Sequence, residues 1–137
     1  MLMEPKPHFQ VTAAVTVQGD RILIARRPPG ARHAGRWEFP GGKQEPGETL
    51  EACLVREIEE ELGLTVSVEK YLVGVDHDDG DMALTLHAYL CRPAPTLNLR
   101  PDDRGRAWVT MDELSSYDLL PPDREIVRFL QAERRGI

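Results

Sequence analysis

The stretch from Gly41 to Leu64 reads GGKQEPGETLEACLVREIEEELGL and indicates both the fold and the chemistry of this chain. It begins with a Gly-Gly turn, continues through an acidic segment, and ends in a helical pattern that carries Glu57, Glu59, Glu60 and Glu61. Like charges three or four residues apart on a helix repel each other by roughly 0.2–0.5 kcal/mol per pair. A helix that gathers these carboxylates therefore indicates a bound cation.

This helix is predicted to begin at Glu48 or Thr49 and to end near Leu62. Acidic residues in its first turn suit the positive end of the helix dipole, and Gly63 is the expected C-cap. At about 100° per residue, one arc of the helix holds the apolar side chains Leu54, Val55, Ile58 and Leu62. An adjacent arc holds Glu57, Glu60 and Glu61, whereas Glu59 points toward solvent. One side of the helix is thus predicted to pack on a core, and the next to present three carboxylates.

Three converging carboxylates supply hard oxygen ligands, which suit Mg²⁺ or Mn²⁺ better than a soft metal. Mg²⁺ commonly shares its coordination shell with substrate phosphates, so the cluster indicates phosphoryl chemistry. Taken alone, a glutamate-rich helix is more often a solvated face, and Gly-Gly is usually only a turn. The complete spacing pattern is needed to choose between these interpretations.

That pattern consists of Gly42, five residues, Glu48, seven residues, Arg56-Glu57-Ile58, one residue, Glu60-Glu61, one residue and Gly63-Leu64. It resembles the Nudix box at every defined position, and a pattern of this length is highly specific. The resemblance implies an α/β/α sandwich with a mixed β-sheet. It also implies an enzyme that hydrolyses a nucleoside diphosphate linked to a further group, with a small-molecule nucleotide as its substrate.

The resemblance assigns a role to each position of the box. It implies that the metal, Mg²⁺ or in its place Mn²⁺, is held by Glu57, Glu60, Glu61 and the Gly41 carbonyl. The implied catalytic residues are Glu57, Glu60, Arg56 and Glu48, and the identity of the general base stays open. A guanidinium pairs strongly with carboxylates, so Arg56 is expected to orient the neighbouring glutamates. Glu48 either pairs with Arg56, which we favour, or assists catalysis.

Flanking residues bear on the substrate. Arg26-Arg27 and the run from Trp37 to Lys43 resemble the MutT-type triphosphatases, which cleave oxidised guanine nucleotides, and the related CTP-type enzymes. This comparison implies that Arg27 approaches the nucleotide, that Phe39 lies beside the base, and that Lys43 meets a phosphate. A solvated surface arginine is the alternative for Arg27.

Two aspartates extend the comparison. Asp102 matches the place of a fourth acidic metal ligand, although the adjacent Asp103 leaves the register open, and a solvated loop acid is the alternative. Asp123 lies where the MutT type carries a base-reading asparagine. An ionised aspartate only accepts hydrogen bonds, which suits the N4 amine of cytosine better than O6 of guanine. A role for Asp123 in the first turn of the last helix is the other alternative.

The sequence therefore predicts a Mg²⁺-dependent nucleoside triphosphate pyrophosphohydrolase that sanitises the nucleotide pool by cleaving 8-oxo-dGTP. One alternative is a pyrophosphohydrolase of CTP or 5-substituted (d)CTP. An alternative of another class is a Nudix domain that binds a nucleotide and regulates without turnover.

Composition narrows the setting. A net charge of −6 argues against a nucleic-acid polymer as partner, and no apolar run is long enough to span a membrane. We expect one cytoplasmic domain over residues 1–137, as a monomer or a homodimer, with Cys53 and Cys91 as buried thiols. Periodicity predicts an α/β fold with strands at Phe9–Val17, Arg21–Ala25, Trp37–Phe39, Thr65–Asp76, Met82–Cys91 and Arg106–Thr110. A helical turn is expected at Met111–Tyr117, followed by a last helix from Pro121.

Overall fold

The structure, a computed structural model, describes residues 6–95 and 105–135. Within these residues the strands are β1 His8–Gln18, β2 Arg21–Arg26, β3 Trp37–Glu38, β4 Val66–Asp78, β5 Ala83–Pro93 and β6 Arg106–Thr110. The helices are α1 Leu50–Leu62 and α2 Pro121–Arg135, and a 3₁₀ turn covers Glu113–Ser116. Every predicted element in these ranges is present, with bounds that differ by a few residues at most.

The strands form one mixed sheet around β1. β1 runs parallel to β5 over His8–Thr16, and β4 pairs antiparallel with the far side of β5. β1 and β2 pair only at Val17–Gln18 with Arg21–Ile22 and then diverge. β6 pairs with β2 along the edge opposite to β1. The sheet is therefore mixed, as the sequence analysis predicted.

The chain from β3 onward fills the gap between β1 and β2. β3 pairs with Ala25 and Arg26 at the end of β2. The following residues cross to β1, where the Ala14 N–H donates to the Pro40 carbonyl and the Gln44 N–H donates to the Gln10 carbonyl. The segment that holds the Gly-Gly pair is therefore inserted into the sheet between two strands.

Side-chain alternation along the strands divides the core into two clusters. Ala13 belongs to the cluster that contains Ile126 and Val127 of α2, while the adjacent Ala14 belongs to the cluster with Leu54 and Ile58 of α1. Successive residues of a strand point to opposite faces of the sheet, so each helix covers one face. This arrangement is the predicted α/β/α sandwich.

Helix α1 begins and ends with the expected signals. The Ala52 N–H donates to the Thr49 Oγ1, and Gly63 takes a left-handed conformation with φ 65°. One detail of its apolar arc was wrong, because Val55 is only partly buried and the inner position is taken by the fully buried Cys53. Cys53 faces the sheet, where its Sγ lies 3.7 Å from the Thr12 Oγ1. Cys53 and Cys91 are both buried free thiols, as expected.

The start of α2 is positioned by β3. The Trp37 N–H donates to the Asp118 carbonyl, and the Leu120 N–H donates back to the Trp37 carbonyl, both at 2.9 Å. These bonds hold the residues just before α2 against Trp37 of β3. Neither α1 nor α2, within the described ranges, has the length and apolar character of a membrane-spanning helix.

Candidate active site

The Gly41–Gly42 pair packs against β1 more closely than any other residue type would allow. The Thr12 N–H donates to the Gly42 carbonyl at 2.8 Å, and a β-carbon built on Gly41 would lie 1.9 Å from the Thr12 carbonyl oxygen. The carbonyls on either side of Gly41, those of Pro40 and Gly42, both accept from β1. Because carbonyls alternate in direction along an extended chain, that of Gly41 is directed away from β1.

Gly42 also makes room for Glu57 of α1. A β-carbon on Gly42 would lie 2.3 Å from the Glu57 Cδ and 2.5 Å from its Oε2. The carboxylate of Glu57 therefore rests directly on the Gly-Gly backbone. This contact brings the Gly-Gly turn of the sequence pattern against the helix that carries the glutamates.

Arg56 pairs with Glu48 through two hydrogen bonds, from its Nη2 at 2.7 Å and from its Nε at 3.1 Å. This bidentate pairing and then the Glu45 N–H, which donates to the same carboxylate, lower the pKa of Glu48 to about 2. The pairing with Glu48 raises the pKa of Arg56 above its ordinary value. Both groups are therefore held in their charged forms.

The other edge of the Arg56 guanidinium holds two glutamates of α1. Its Nη1 donates to the Glu57 Oε1 at 3.0 Å and to the Glu60 Oε2 at 3.2 Å. The Glu57 side chain is largely buried, whereas that of Glu60 is exposed. Arg56 thus connects Glu48 on the loop to two carboxylates on the helix and limits their orientations.

Glu61 lies near Glu57, Glu38 and Arg27, whose charges act on its carboxyl. Partial burial of its carboxyl, followed by the negative charges of Glu57 and Glu38, raises the pKa of Glu61 to about 7. A carboxyl whose pKa is raised by neighbouring negative charges marks a place where negative charge is under-neutralised. Within residues 6–95 and 105–135, however, no three acidic, histidine or cysteine side chains converge as a ready-made metal site.

These residues fit a hard divalent cation. The Glu57 carboxylate lies close enough to raise the pKa of Glu61, and it fills the space beside Gly42 where another residue would carry a side chain. Glu60 is turned toward Arg56. Oxygen donors with excess negative charge are the ligands that Mg²⁺ prefers in proteins.

A buried carboxyl lies at the other end of the site. Asp123, in the first turn of α2, is 3% exposed, and its Oδ2 accepts a hydrogen bond from the Phe39 N–H at 2.9 Å. Burial, and secondarily the negative charge of Glu38, raises the pKa of Asp123 to about 8 despite this hydrogen bond. The Phe39 side chain itself is buried in the core on the α2 face.

A partly buried ion pair lies near both carboxyl groups. The Arg27 Nη1 donates to the Glu38 Oε2 at 3.2 Å, and the two side chains are 30% and 26% exposed. Burial raises the pKa of Glu38, and the charge of Arg27 partly offsets this. The sequence analysis did not single out Glu38, although an acid between two aromatic residues in a short strand was an available signal.

The remaining predicted residues are placed less centrally. Lys43 is exposed, and its Nζ lies 4.0 Å from the centre of the Phe9 ring. Asp102, and Asp103 beside it, lie outside the described residues. The structure thus joins Gly41, Glu48, Arg56, Glu57, Glu60 and Glu61 at one end of the site, and Arg27, Phe39 and Asp123 at the other.

Comparisons of the sequence and of the structure with known proteins both find Nudix hydrolases. The family model described as NUDIX domain matches residues 6–130. The chain is 32% identical to the CTP pyrophosphohydrolase of Escherichia coli (strain K12), over 92% of this chain and 93% of that protein. It is 37% identical to the 8-oxo-dGTP diphosphatase of Proteus vulgaris, over 65% of this chain and 80% of that protein. The crystal structure of a MutT NUDIX hydrolase from Burkholderia pseudomallei is similar, with a TM-score of 0.75 and 30% identity, covering 90% of this chain and 98% of that one.

Proposed function

Because the chain belongs to the Nudix hydrolase family, we propose that it is a Mg²⁺-dependent pyrophosphohydrolase that cleaves 8-oxo-dGTP. The products would be the nucleoside monophosphate and pyrophosphate. An enzyme that removes an oxidised nucleotide from the free pool would act in the cytoplasm, and it would protect DNA.

The metal would be held by Glu57, Glu61 and the Gly41 carbonyl, with Glu60 reaching the same cation from its place beside Arg56. When bound, Mg²⁺ supplies positive charge to the phosphate chain and acidifies a coordinated water. The protein's own contribution is orientation, since Gly42 and Arg56 together fix the Glu57 carboxylate. Glu57 is thereby ready to position the attacking water or to accept its proton.

The raised pKa of the buried Asp123 is the observation that favours oxidised guanine. An ionised aspartate would only accept hydrogen bonds, but a carboxyl with a pKa of about 8 is largely protonated at neutral pH. Its neutral form donates from one oxygen and accepts on the other, as an asparagine side chain does through its two atoms. Such a group can donate to O6 and accept from N7–H of 8-oxoguanine.

Similarity to a CTP pyrophosphohydrolase supports a second candidate. If Asp123 becomes ionised on binding, its carboxylate would accept from the N4 amine of cytosine. CTP or a 5-substituted (d)CTP would then be the preferred substrate. A non-catalytic nucleotide-binding regulator is the third candidate, but the complete glutamate set favours turnover.

A nucleotide panel tests these candidates. Pyrophosphate release would be measured with Mg²⁺ and 8-oxo-dGTP, dGTP, CTP, 5-methyl-dCTP and a sugar-linked nucleoside diphosphate. We expect kcat/KM for 8-oxo-dGTP to exceed that for every other compound by about tenfold or more. A higher value for either cytidine nucleotide would replace the proposal with the second candidate. Tight binding of one nucleotide without release from any of them would indicate the regulator.

A further inference from the structure

The loop between β2 and β3, residues 28–36, is a compact unit that is closed at its base by Arg27. The Arg27 N–H donates to the Arg36 carbonyl at 2.8 Å, and the Gly35 N–H donates to the Arg27 carbonyl at 3.0 Å. Inside the loop, Gly30, His33 and Gly35 have positive φ angles. His33 is the only non-glycine residue of the described ranges with a positive φ, a conformation that side chains rarely adopt unless their surroundings hold them.

The tip of this loop, Arg32 and His33, contacts the turn between β4 and β5. Asp79, in the turn between β4 and β5, lies 2.8 Å from the Arg32 Nη2 through its Oδ2 and 3.4 Å from the His33 Nε2. The same Arg32 Nη2 is 3.3 Å from the Asp79 carbonyl oxygen. Asp79 thus contacts the side chains of both residues at the tip.

Sheet order explains what this contact spans. The order is β2, β1, β5, β4, so the loop after β2 and the turn after β4 are separated by the beginning of β1. The inserted segment that contains Gly41 and Gly42 is bonded to β1 on the side toward β2. The contact between Arg32 and Asp79 therefore crosses the end of the sheet at which the Gly-Gly segment is inserted.

A continuous path of contacts runs from Asp79 into the proposed nucleotide site. The Asp79 carboxylate pairs with the Arg32 side chain, and the Arg32 carbonyl accepts from the Arg27 Nε at 2.9 Å. The Nη1 of the same Arg27 guanidinium pairs with Glu38. Two contacts therefore fix the orientation of the Arg27 side chain: its ion pair with Glu38 and its hydrogen bond to the Arg32 carbonyl at the loop tip.

We propose that Asp79 is a positioning residue, which holds the 28–36 loop closed and so orients Arg27 for the nucleotide. The negative charge of Asp79 matches the positive charge of Arg32, and His33 and His77 also face it, with His77 Nε2 at 3.9 Å from Oδ1. The acids near this group are Asp81, which approaches Arg32 at 3.9 Å, and Asp78, which pairs with Lys6. Of these three acids, Asp79 is the one that contacts both tip residues.

The turn does not need the Asp79 side chain for its own structure. It is closed by the Asp79 N–H, which donates to the Met82 carbonyl, and by the Gly80 N–H, which donates to the Asp78 Oδ1. Asp79→Asn keeps the shape of the side chain and both of these bonds while removing the charge. Asp81→Asn is the matched control, because Asp81 belongs to the same turn and approaches Arg32 only at 3.9 Å, with a side chain that is 92% exposed.

Hydrogen–deuterium exchange of the protein without nucleotide tests the closure directly. A partly exposed charge pair is a weak interaction, so amide exchange in residues 28–36 should rise only about three- to fivefold in Asp79→Asn. It should stay at the wild-type rate in Asp81→Asn. Equal exchange of this loop in wild type and Asp79→Asn would overturn the proposal, whatever substrate the enzyme uses.

The kinetic arm rests on the proposed function. With the substrate that the wild type cleaves, Asp79→Asn should raise KM about fivefold and leave kcat within about twofold, because the proposed role of Arg27 is to orient the nucleotide, whereas the glutamates of α1 are proposed to act on the phosphates. Asp79→Glu should restore part of the loss. In a double-mutant cycle, Arg32→Gln should add little to Asp79→Asn. Faster loop exchange with unchanged KM, or fully additive effects of the two substitutions, would refute the positioning role.

Discussion

The carboxylate of Glu57 occupies the space in which residue 42 would carry a side chain if it were not glycine. Gly41→Ala and Gly42→Ala should therefore have different consequences. A methyl group on residue 42 meets the far end of a side chain that can move, so Glu57 would be displaced and the fold kept. A methyl group on residue 41 meets the backbone of Thr12, which cannot move away without disturbing the sheet.

We expect Gly42→Ala to lower kcat about 100-fold with little change in Tm, because a small misplacement of a reacting group is costly. Gly41→Ala should lower the free energy of unfolding by about 3 kcal/mol. Steady-state kinetics and urea denaturation of both variants would check this. A fully active Gly42→Ala enzyme would show that the position of Glu57 is unimportant for turnover.

The glutamates of α1 can be separated by amide substitution. Glu57→Gln, Glu60→Gln and Glu61→Gln should each reduce kcat by orders of magnitude and weaken Mg²⁺ binding, since an amide is a poorer ligand than a carboxylate. Glu59→Gln is the matched control, because Glu59 is exposed on another arc of the same helix. Circular dichroism should be unchanged in all four. Wild-type activity in both Glu60→Gln and Glu61→Gln would exclude the proposed metal site.

Asp123 should make stability depend on pH. Its folded pKa of about 8 lies above the value of about 3.9 for an unfolded chain, so the folded protein binds more protons between these limits. The contribution is fully present below about pH 4 and is lost as pH rises toward 8, with a slope of up to about 1.4 kcal/mol per pH unit. Asp123→Asn removes this contribution, so its stability relative to wild type should increase as pH rises. Urea titrations from pH 4.5 to 8.5 measure the difference, and parallel stability curves for the two proteins would disprove the protonated state.

The Arg27–Glu38 pair should govern nucleotide binding more than chemistry. Glu38→Gln removes the charge that holds Arg27, so KM for the preferred nucleotide should rise about tenfold while kcat changes little. Glu69→Gln is a suitable control, because Glu69 and Arg92 are also 3.2 Å apart but are more exposed and lie on β4 and β5. A similar KM for Glu38→Gln and Glu69→Gln would contradict a role for the Arg27–Glu38 pair.

The elements of this protein follow from local patterns in the sequence. The alternation of apolar residues gives the strands, Thr49 and Gly63 delimit α1, and the 100° step per residue separates Glu59 from the other glutamates. The spacing of the Nudix box indicates phosphoryl chemistry. All of these signals extend over a few turns of helix or a few residues of strand, so they can be recognised without knowing how distant segments meet.

Tertiary structure alone decided the contacts between distant segments. Glu38 meets Arg27 because β3 pairs with the end of β2. Asp123 accepts a hydrogen bond from the Phe39 N–H because the residues before α2 pair with Trp37. Sequence identifies Asp123 as an acid, but its pKa depends on burial and on the charges around it. Desolvation and Coulomb interactions act through space, and strand pairing determines which groups are brought together.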